Sequence, residues 1–294
     1  MGLLGVESVA DRVAALTGRE VAATIALGAS HEWQLHRVEL ADATSVFVKE
    51  TATERPELEG LFRAEALGLN WLAGSFGSPV PRVLGWDART LALDWVEQDE
   101  PSPAAAERFG HQLAAMHLVG ADRFGADWPG FIGPLPLDNT PTRNWPEFYV
   151  QRRVLPYLER AVNRGALTPA DARLVEKVLD RVEELAGEPE PPARIHGDLW
   201  NGNVMWGTNG VTVVDPAAHG GHREADLAML SLFGLPHLDR VRDAYNHAAP
   251  LADGWKARIP LHQLHPLLVH VCLYGAAYRT TTIEAARTAL RVES

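Results

Sequence analysis

Residues 196–215 constrain the fold of this chain more than any other segment. They begin with a loop, His196-Gly197-Asp198-Leu199-Trp200-Asn201-Gly202-Asn203, whose glycines and polar side chains disfavour a helix or a regular strand. Two short apolar runs follow, one on each side of Asn209-Gly210, a strong hairpin signal. Because a hairpin returns the chain to where it began, Asp215 after the second run is expected beside Asn203 before the first.

The polar side chains of this segment suit phosphoryl transfer. Asp198, Asn203 and Asp215 offer carboxylate and amide oxygens, which are hard ligands that favour Mg²⁺ and phosphate over zinc. In such a site Asp198 accepts a proton from an attacking hydroxyl while Asn203 and Asp215 hold the metal. The alternative is that each residue caps a turn in a polar loop. That alternative explains any one of the three, but it explains the whole set at this spacing poorly.

A second charged pair is predicted in the N-terminal third of the chain. Lys49 ends the predicted strand Val46-Phe47-Val48, and Glu65 falls within the apolar stripe of a helix predicted from about Glu57 to Ala73. A carboxylate on a buried stripe is unfavourable unless it is paired, and Lys49 is the expected partner. The alternative is that Glu65 lies at the edge of the stripe, in contact with solvent.

The predicted elements divide the chain into two parts. Residues 1–96 are predicted to hold an N-terminal helix, five short strands and the long helix, with Gly28-Ala29-Ser30 as a turn. A polar, proline-rich connector at 97–103 opens the second part, residues 97–294. This part is predicted to be mostly helical and to carry the loop and the hairpin. A further helix start is marked by Thr168-Pro169-Ala170-Asp171, with an N-cap and a first-turn proline.

Composition excludes several classes of function. The chain has 294 residues, and its formal net charge of −11 disfavours nucleic acid as a partner. Its single cysteine, Cys272, excludes an intramolecular disulfide and cysteine-based zinc sites. The start has no signal-peptide pattern, and the apolar segment 267–277 is too short to span a bilayer. We therefore expect a cytoplasmic protein with no membrane partner, and a monomer.

Several motifs resemble those of the protein-kinase-like superfamily, in its aminoglycoside-phosphotransferase-like branch. The loop motif resembles the superfamily as a whole. A narrower resemblance, to the fructosamine kinase (ketosamine-3-kinase) family, lies in Gly221-His222-Arg223-Glu224-Ala225-Asp226-Leu227-Ala228-Met229 and in Leu264-His265-Pro266-Leu267-Leu268-Val269-His270-Val271. The resemblance implies a two-lobed α+β fold, with a small β-rich N-lobe, a larger helical C-lobe and the active cleft between them.

The resemblance also implies roles for the residues already singled out. It makes Asp198 the catalytic base and makes Asn203 and Asp215 the ligands of Mg²⁺. Asp226 is implied to brace the catalytic loop from below. His117 is implied to pack under that loop without a catalytic role.

The nucleotide side follows from the same resemblance. Lys49, held by Glu65, is implied to contact the phosphates of ATP, together with a phosphate loop that includes Gly28 and Ser30. This loop has one glycine where family members often have two. The backbone of Asp94, Trp95 and Val96 is implied to form the hinge that binds adenine.

Two residues are predicted to contact the acceptor. Trp200 would give a flat apolar platform for a sugar face or an amine-bearing stem, whereas Trp206 on the hairpin better suits the alternative role of a core residue. A histidine on an apolar helix face is by default a core residue, but the resemblance makes acceptor contact equally favoured for His270. The chain departs from the family at positions that are expected to surround the acceptor: His219, Gly220, His262, His265 and Cys272.

The resemblance implies an ATP-dependent phosphotransferase with an alcohol group as acceptor. Its substrate would be a ketosamine, the sugar adduct of a small amine or of a protein lysine, phosphorylated on the 3-hydroxyl. Because the phosphate makes the adduct prone to eliminate, the implied role is repair of glycation. A kinase of an aminoglycoside, choline or homoserine would share these catalytic residues. A catalytically silent binding module would lack the base, the metal ligands or the lysine, and all of them are present.

Overall fold

An antiparallel sheet of five strands forms the N-terminal part of the protein. The computed structural model describes residues 8–30, 33–51, 58–74 and 77–291. The strands lie in the order β1-β2-β3-β5-β4, so β1 and β4 are the edges. They are β1 (Val21–Ser30), β2 (Trp33–Leu40), β3 (Ser45–Glu50), β4 (Val83–Trp86) and β5 (Thr90–Asp94).

Two helices accompany this sheet. Helix α1 (Val9–Thr17) begins with a capping box between Ser8 and Asp11. Helix α2 (Leu61–Leu72) follows Gly60 and buries most of its apolar stripe against the sheet. The predicted start of α2 near Glu57 lies outside the described residues. The carboxylate of Glu65 is on the buried side of α2, where it can contact a strand of the sheet.

The turn predicted at Gly28-Ala29-Ser30 is wrong. Strand β1 continues through these residues, and Ser30 pairs with Trp33 of β2. The ladder is irregular between Ala26 and Gly28, where Gly28 has φ = 117°. The glycine therefore bends the strand at a bulge instead of ending it.

The second part of the protein is mostly helical. A π-helical segment, Tyr149–Val154, joins α4 to α5, so the helical run from 145 to 163 is continuous but irregular. The capping box predicted at Thr168 and Asp171 is present. The helices are α3 (Pro103–Leu118), α4 (Trp145–Phe148), α5 (Leu155–Asn163), α6 (Pro169–Leu179), α7 (Val182–Leu185), α8 (Glu224–Leu232), α9 (Leu238–Ala248), α10 (Trp255–Tyr274) and α11 (Arg279–Ala289).

Three small two-stranded sheets interrupt the helices. The predicted hairpin around Asn209-Gly210 is formed by β9 (Val204–Gly207) and β10 (Gly210–Val213). The other two pairs were not predicted, because strands of three residues are too short to show alternation. They are β6 (Gly130–Ile132) with β7 (Leu135–Leu137), and β8 (Ala193–Ile195) with β11 (His219–Gly221).

The arrangement confirms the predicted two-lobed α+β fold, with a small antiparallel sheet and a larger helical lobe. Strand β5 ends at Asp94 and α3 begins at Pro103, with the connector between them. A boundary at 96/97 stays a prediction within this connector. Within the described part of the chain, every helix is too short or too polar to cross a membrane.

Candidate active site

A cavity of about 330 Å³ lies where the sheet, α2, the loop at 196–203 and the segment that follows the β9–β10 hairpin meet. It collects residues that are far apart in the sequence. Seven of the predicted site residues line it: Ser30, Lys49, Glu65, Asp198, Trp200, Asn203 and Asp215.

Lys49 is buried at the back of this cavity, with 2% of its side chain exposed. Its Nζ donates to Oε1 of Glu65 at 2.8 Å and to Oδ1 of Asp215. Burial acts to lower the pKa of Lys49, but the charges of Asp215 and Glu65 outweigh it and raise that pKa. The lysine therefore stays a cation. Because Glu65 is 9% exposed, the alternative of a solvated Glu65 is excluded.

The loop that carries Asp198 is held from behind by a buried carboxylate. Asp226 accepts hydrogen bonds from the backbone N–H groups of His196 (2.7 Å) and Gly197 (2.9 Å). The ring of His117 lies between Asp226 (Nε2 to Oδ2, 3.1 Å) and the hydroxyl of Tyr245 (Nδ1 to Oη, 2.8 Å). These contacts lie on the side of the loop away from the cavity and hold its backbone in place.

Gly197 is required at the start of this loop. Its φ is 81°, and a Cβ there would lie 2.3 Å from the carbonyl oxygen of Ala217. An L side chain would be disfavoured by the backbone conformation and would also collide with the backbone just before β11. Asp198 is thus displayed by a turn that only glycine forms without strain.

Asp198 itself has the properties of a base. Asn203 Nδ2 donates to its carbonyl oxygen at 2.8 Å and to its Oδ2 at 3.2 Å. Burial raises the pKa of Asp198 to about 7, and the nearby charge of Asp215 adds to the shift. A carboxylate with a raised pKa is a stronger base toward a hydroxyl than an ordinary aspartate is.

The hairpin brings Asp215 back to Asn203. Val204 pairs with Val213, and the N–H of Val214 donates to the carbonyl of Asn203 at 3.0 Å. Asp215 adopts φ = 58°, which is uncommon for a residue other than glycine. That conformation costs about 1 kcal/mol, so the surrounding structure must hold it in place.

The donor set at this point fits Mg²⁺. Asp215 supplies a carboxylate whose side chain is 38% exposed. Asn203 commits its amide nitrogen to Asp198, so its amide oxygen is not used by those bonds. Oxygen ligands from a carboxylate and an amide, with room for phosphate and water, match the coordination that Mg²⁺ prefers.

Trp200 lines the same cavity. Its indole covers Gly202, where a Cβ would lie 2.3 Å from Cη2 of the ring. Trp206, by contrast, is 8% exposed and belongs to the core under the hairpin. His270 is not among the cavity-lining residues, but its ring lies 5.0 Å from that of Phe233, which is 5.7 Å from Trp200.

The structure does not bring Gly28 or the 94–96 segment to the cavity wall. Gly28 lies on exposed β1. Asp94 pairs with Arg82, and the guanidinium of Arg37 lies 4.7 Å from the ring of Trp95. The 94–96 segment lines a separate groove with the turn of the β9–β10 hairpin. Its role as an adenine-binding hinge stays a prediction about backbone groups.

The structure does not place the family departures on the wall of the candidate cavity. His219, His262 and His265 are buried in the helical lobe and line a separate cavity of about 40 Å³. Cys272 is also buried, and its Sγ contacts the carbonyl of Tyr157. At about 100° per residue, position 270 of α10 is turned by about 140° from position 265, so His270 and His265 face different surroundings.

Sequence reasoning missed part of the cavity wall. Trp33 at the start of β2, Trp128 and the β6–β7 hairpin all contribute to it. The hairpin contributes Phe131 and Ile132 of β6 and Gly133 of the turn that follows. The glycines that bracket Phe131 and Ile132 are the one signal that could have suggested a tight hairpin here.

The chain was compared with known families and proteins. The fructosamine kinase family model matches residues 9–291. A "probable ketoamine kinase" of Thermus thermophilus is 36% identical over 236 residues, which cover 79% of this chain and 83% of the relative. A second such kinase, from Escherichia coli, is 33% identical over 239 residues, covering 79% and 80%.

Solved structures are also similar to this chain. A Thermobifida fusca protein described as a "putative fructosamine-3-kinase" is 72% identical, with a TM-score of 0.96 over 98% of this chain and 100% of that one. A macrolide 2′-phosphotransferase of Brachybacterium faecium shares the fold alone. It is 15% identical, with a TM-score of 0.60 over 96% and 98% of the two chains.

The family model runs along nearly the whole chain and includes the loop, the hairpin and the lysine described above. The chain belongs to the fructosamine kinase family, a family of phosphotransferases that act on a sugar hydroxyl.

Proposed function

We propose that this protein is an ATP-dependent kinase that phosphorylates the 3-hydroxyl of ketosamines and so starts the removal of sugar adducts from amines. The observation that carries the proposal is the convergence of Lys49, Asp198, Asn203 and Asp215 on one cavity. This set supplies a phosphate-binding cation, a base and two oxygen ligands for a metal, which together are the parts that phosphoryl transfer needs.

In the proposed reaction Asp198 takes the proton of the sugar hydroxyl as its oxygen attacks the γ-phosphorus of ATP. The bond from that phosphorus to the bridging oxygen breaks, and ADP leaves with the electron pair. Lys49 binds phosphate oxygens and stays charged because Glu65 and Asp215 outweigh its burial. Asn203 and Asp215 would hold Mg²⁺, which supplies charge neutralisation for the phosphates.

Other parts of the proposal rest on family resemblance and chemistry. Ser30 would contact phosphate from the sheet side of the cavity, and the Asp94–Val96 backbone would bind adenine. We propose a cytoplasmic location, because the cytoplasm supplies ATP. We also propose that the protein is a monomer. The acceptor is a small-molecule or protein-bound ketosamine, with Trp200 against the sugar or its stem.

An acceptor panel tests the proposed function. Coupled ADP release would be measured with ribulosyl-lysine, fructosyl-lysine and kanamycin side by side. We expect turnover of the two ketosamines, and we expect NMR of the products to locate the new phosphate on the sugar. Turnover of kanamycin alone would replace the proposal with an aminoglycoside kinase. If ATP is not turned over with any of a broad set of acceptors, a binding module would be favoured.

The metal assignment has its own test. Asp215→Asn replaces a charged ligand with a neutral one, so the affinity for Mg·ATP should fall while the affinity for Mg²⁺-free ATP changes less. Isothermal titration calorimetry with and without Mg²⁺ measures both. Asp239→Asn, at a carboxylate of α9 whose side chain is 97% exposed, is the matched control. Equal Mg·ATP affinity in wild type and Asp215→Asn would show that Asp215 is not a ligand.

A further inference from the structure

Five aromatic side chains form a continuous group that leads outward from the cavity. We call this group the aromatic wall: Trp200, Phe233, His270, Tyr274 and Tyr278. The ring centroids of Trp200 and Phe233 are 5.7 Å apart, and those of Phe233 and His270 are 5.0 Å apart. His270 in turn lies 5.6 Å from Tyr274 and 4.8 Å from Tyr278. Of the five, Trp200 lines the cavity beside Asp198, and the others continue away from it.

The wall is assembled from separate elements. Trp200 belongs to the catalytic loop, and Phe233 follows the last turn of α8. His270 and Tyr274 are four residues apart on α10, a spacing that places them on one face. Tyr278 ends the 3₁₀ turn Gly275–Tyr278. Because each ring contacts at least one ring from another segment, the wall is a built surface and not a set of unrelated exposed residues.

Much of the wall faces solvent. Tyr274 is 53% exposed and Phe233 is 39% exposed. Clustered apolar exposure of this kind marks a contact surface. Its continuity with the cavity identifies the contacting group as the part of the acceptor that extends beyond the reacting sugar.

The chemistry of the wall suits an alkyl chain that is attached to an ammonium group. The rings carry no formal charge, since burial lowers the pKa of His270 and keeps it neutral. His270 Nδ1 lies 2.7 Å from the carbonyl of Pro266, so Nδ1 donates and Nε2 remains an acceptor. Aromatic faces attract ammonium groups, and the net charge of −11 favours the approach of cations. The amine of a ketosamine is protonated at neutral pH and is bonded directly to the sugar.

We propose that the aromatic wall is a subsite for the amine-bearing stem of the acceptor. The enzyme then selects ketosamines whose nitrogen carries an alkyl chain, such as a lysine side chain, over the bare aminosugar. This inference rests on the proposed function, because it needs the sugar of a ketosamine to occupy the position next to Asp198. Tyr274 acts as a specificity residue at the far end of the wall.

The test uses two acceptors with the same sugar. One is 1-amino-1-deoxyfructose, which has no stem, and the other is Nε-fructosyl-lysine blocked at both its α-amino and carboxyl groups. The measured quantity is the ratio of their kcat/KM values. Wild type should favour the stemmed acceptor, and Tyr274→Ala should lower the ratio about two- to fivefold, because the methylene groups of the stem lose apolar contact with the ring.

Two further variants make the test specific. Tyr274→Phe keeps the ring and should keep the wild-type ratio. Tyr274→Leu keeps apolar area and should lose less of the ratio than Tyr274→Ala. Trp86→Ala is the matched control, since Trp86 is an aromatic residue, 37% exposed, on edge strand β4. It should leave the ratio unchanged.

The outcomes separate this inference from the proposed function. If wild type turns over both acceptors equally, or if Tyr274→Ala keeps the wild-type ratio, the stem subsite is overturned while ketosamine kinase activity stands. If neither ketosamine is phosphorylated by an enzyme that phosphorylates kanamycin, the proposed function fails and the stem assignment fails with it.

Discussion

At the scale of single residues, the site depends on a few positions where one residue type is required. Gly197 turns the chain so that Asp198 points into the cavity, and Asp215 adopts an uncommon backbone conformation beside it. Burial together with Asp215 gives Asp198 a pKa of about 7. If Asp198 is the base as proposed, it is tuned by its surroundings, and removing it should affect chemistry more than binding.

The first prediction concerns Asp198. Asp198→Asn retains the shape of the side chain and an acceptor for Asn203 but removes the proton acceptor, so kcat should fall by about 10²–10⁴. The Kd for Mg·ATP, measured by calorimetry, should stay close to wild type. Turnover near the wild-type rate would remove Asp198 from the role of base.

The second prediction concerns Gly202, over which the indole of Trp200 lies. In Gly202→Ala the new methyl group displaces this ring, so acceptor kcat/KM should drop about tenfold. The KM for ATP should hardly change. Trp200→Ala should have a similar effect, and combining the two changes should add little. Additive losses would mean that Gly202 acts independently of the indole.

At the scale of elements, the catalytic loop is joined to the helices behind it through one carboxylate. Asp226 near the start of α8 receives two loop N–H groups and contacts His117 of α3, which reaches Tyr245 of α9. Burial acts to raise the pKa of Asp226, but hydrogen bonding and charge from His117 outweigh it and lower that pKa. The loop thus depends on three helices that lie outside the cavity.

The third prediction tests this support. Asp226→Asn leaves a buried network short of one acceptor, so the free energy of unfolding should fall by about 1–3 kcal/mol. The kcat should fall as well, because the loop loses its fixed position. Urea unfolding and steady-state kinetics measure the two effects. Asp243→Asn, at an exposed acidic residue of α9, should change neither. Normal kcat in the Asp226 variant would show that the loop holds its own shape.

Sequence patterns predicted the catalytic side of this site better than its acceptor side. A hairpin signal is local, so the meeting of Asn203 and Asp215 followed from turn chemistry alone. The Lys49–Glu65 pair followed from one carboxylate on an apolar stripe. The β6–β7 hairpin and the depth of His265 depend on long-range packing, which no local pattern records. The bulge at Gly28 likewise depends on pairing with β2.

At the scale of the whole molecule, the helical lobe holds several uncharged histidines. Burial lowers the pKa values of His196, His219, His222 and His265, to about 3 for His222. Each of them titrates nearer 6.5 when the chain unfolds. Below that pH the unfolded chain binds more protons than the folded one, so stability is present above about pH 6.5 and is lost as pH falls.

The fourth prediction follows from this imbalance. The midpoint temperature of unfolding should decline between pH 7 and pH 4, and His265→Phe should decline less steeply because one proton-binding site is removed from the unfolded chain. Burial and the neighbouring charge of Arg153 are the main causes of the low pKa of His265. His247→Asn, at an exposed histidine of α9, should follow wild type. If the midpoint temperature of His265→Phe falls with pH as steeply as that of wild type, the prediction is contradicted.

The support behind the catalytic loop has a consequence for how such an enzyme can diversify. Asp226, His117 and Tyr245 hold the backbone of the loop, whereas Phe233, His270, Tyr274 and Tyr278 of the aromatic wall belong to other ring contacts. If the wall binds the acceptor as proposed, substitutions at these four outer rings would change acceptor preference and leave the support of Asp198 intact. Catalytic competence and acceptor choice would then be free to change separately.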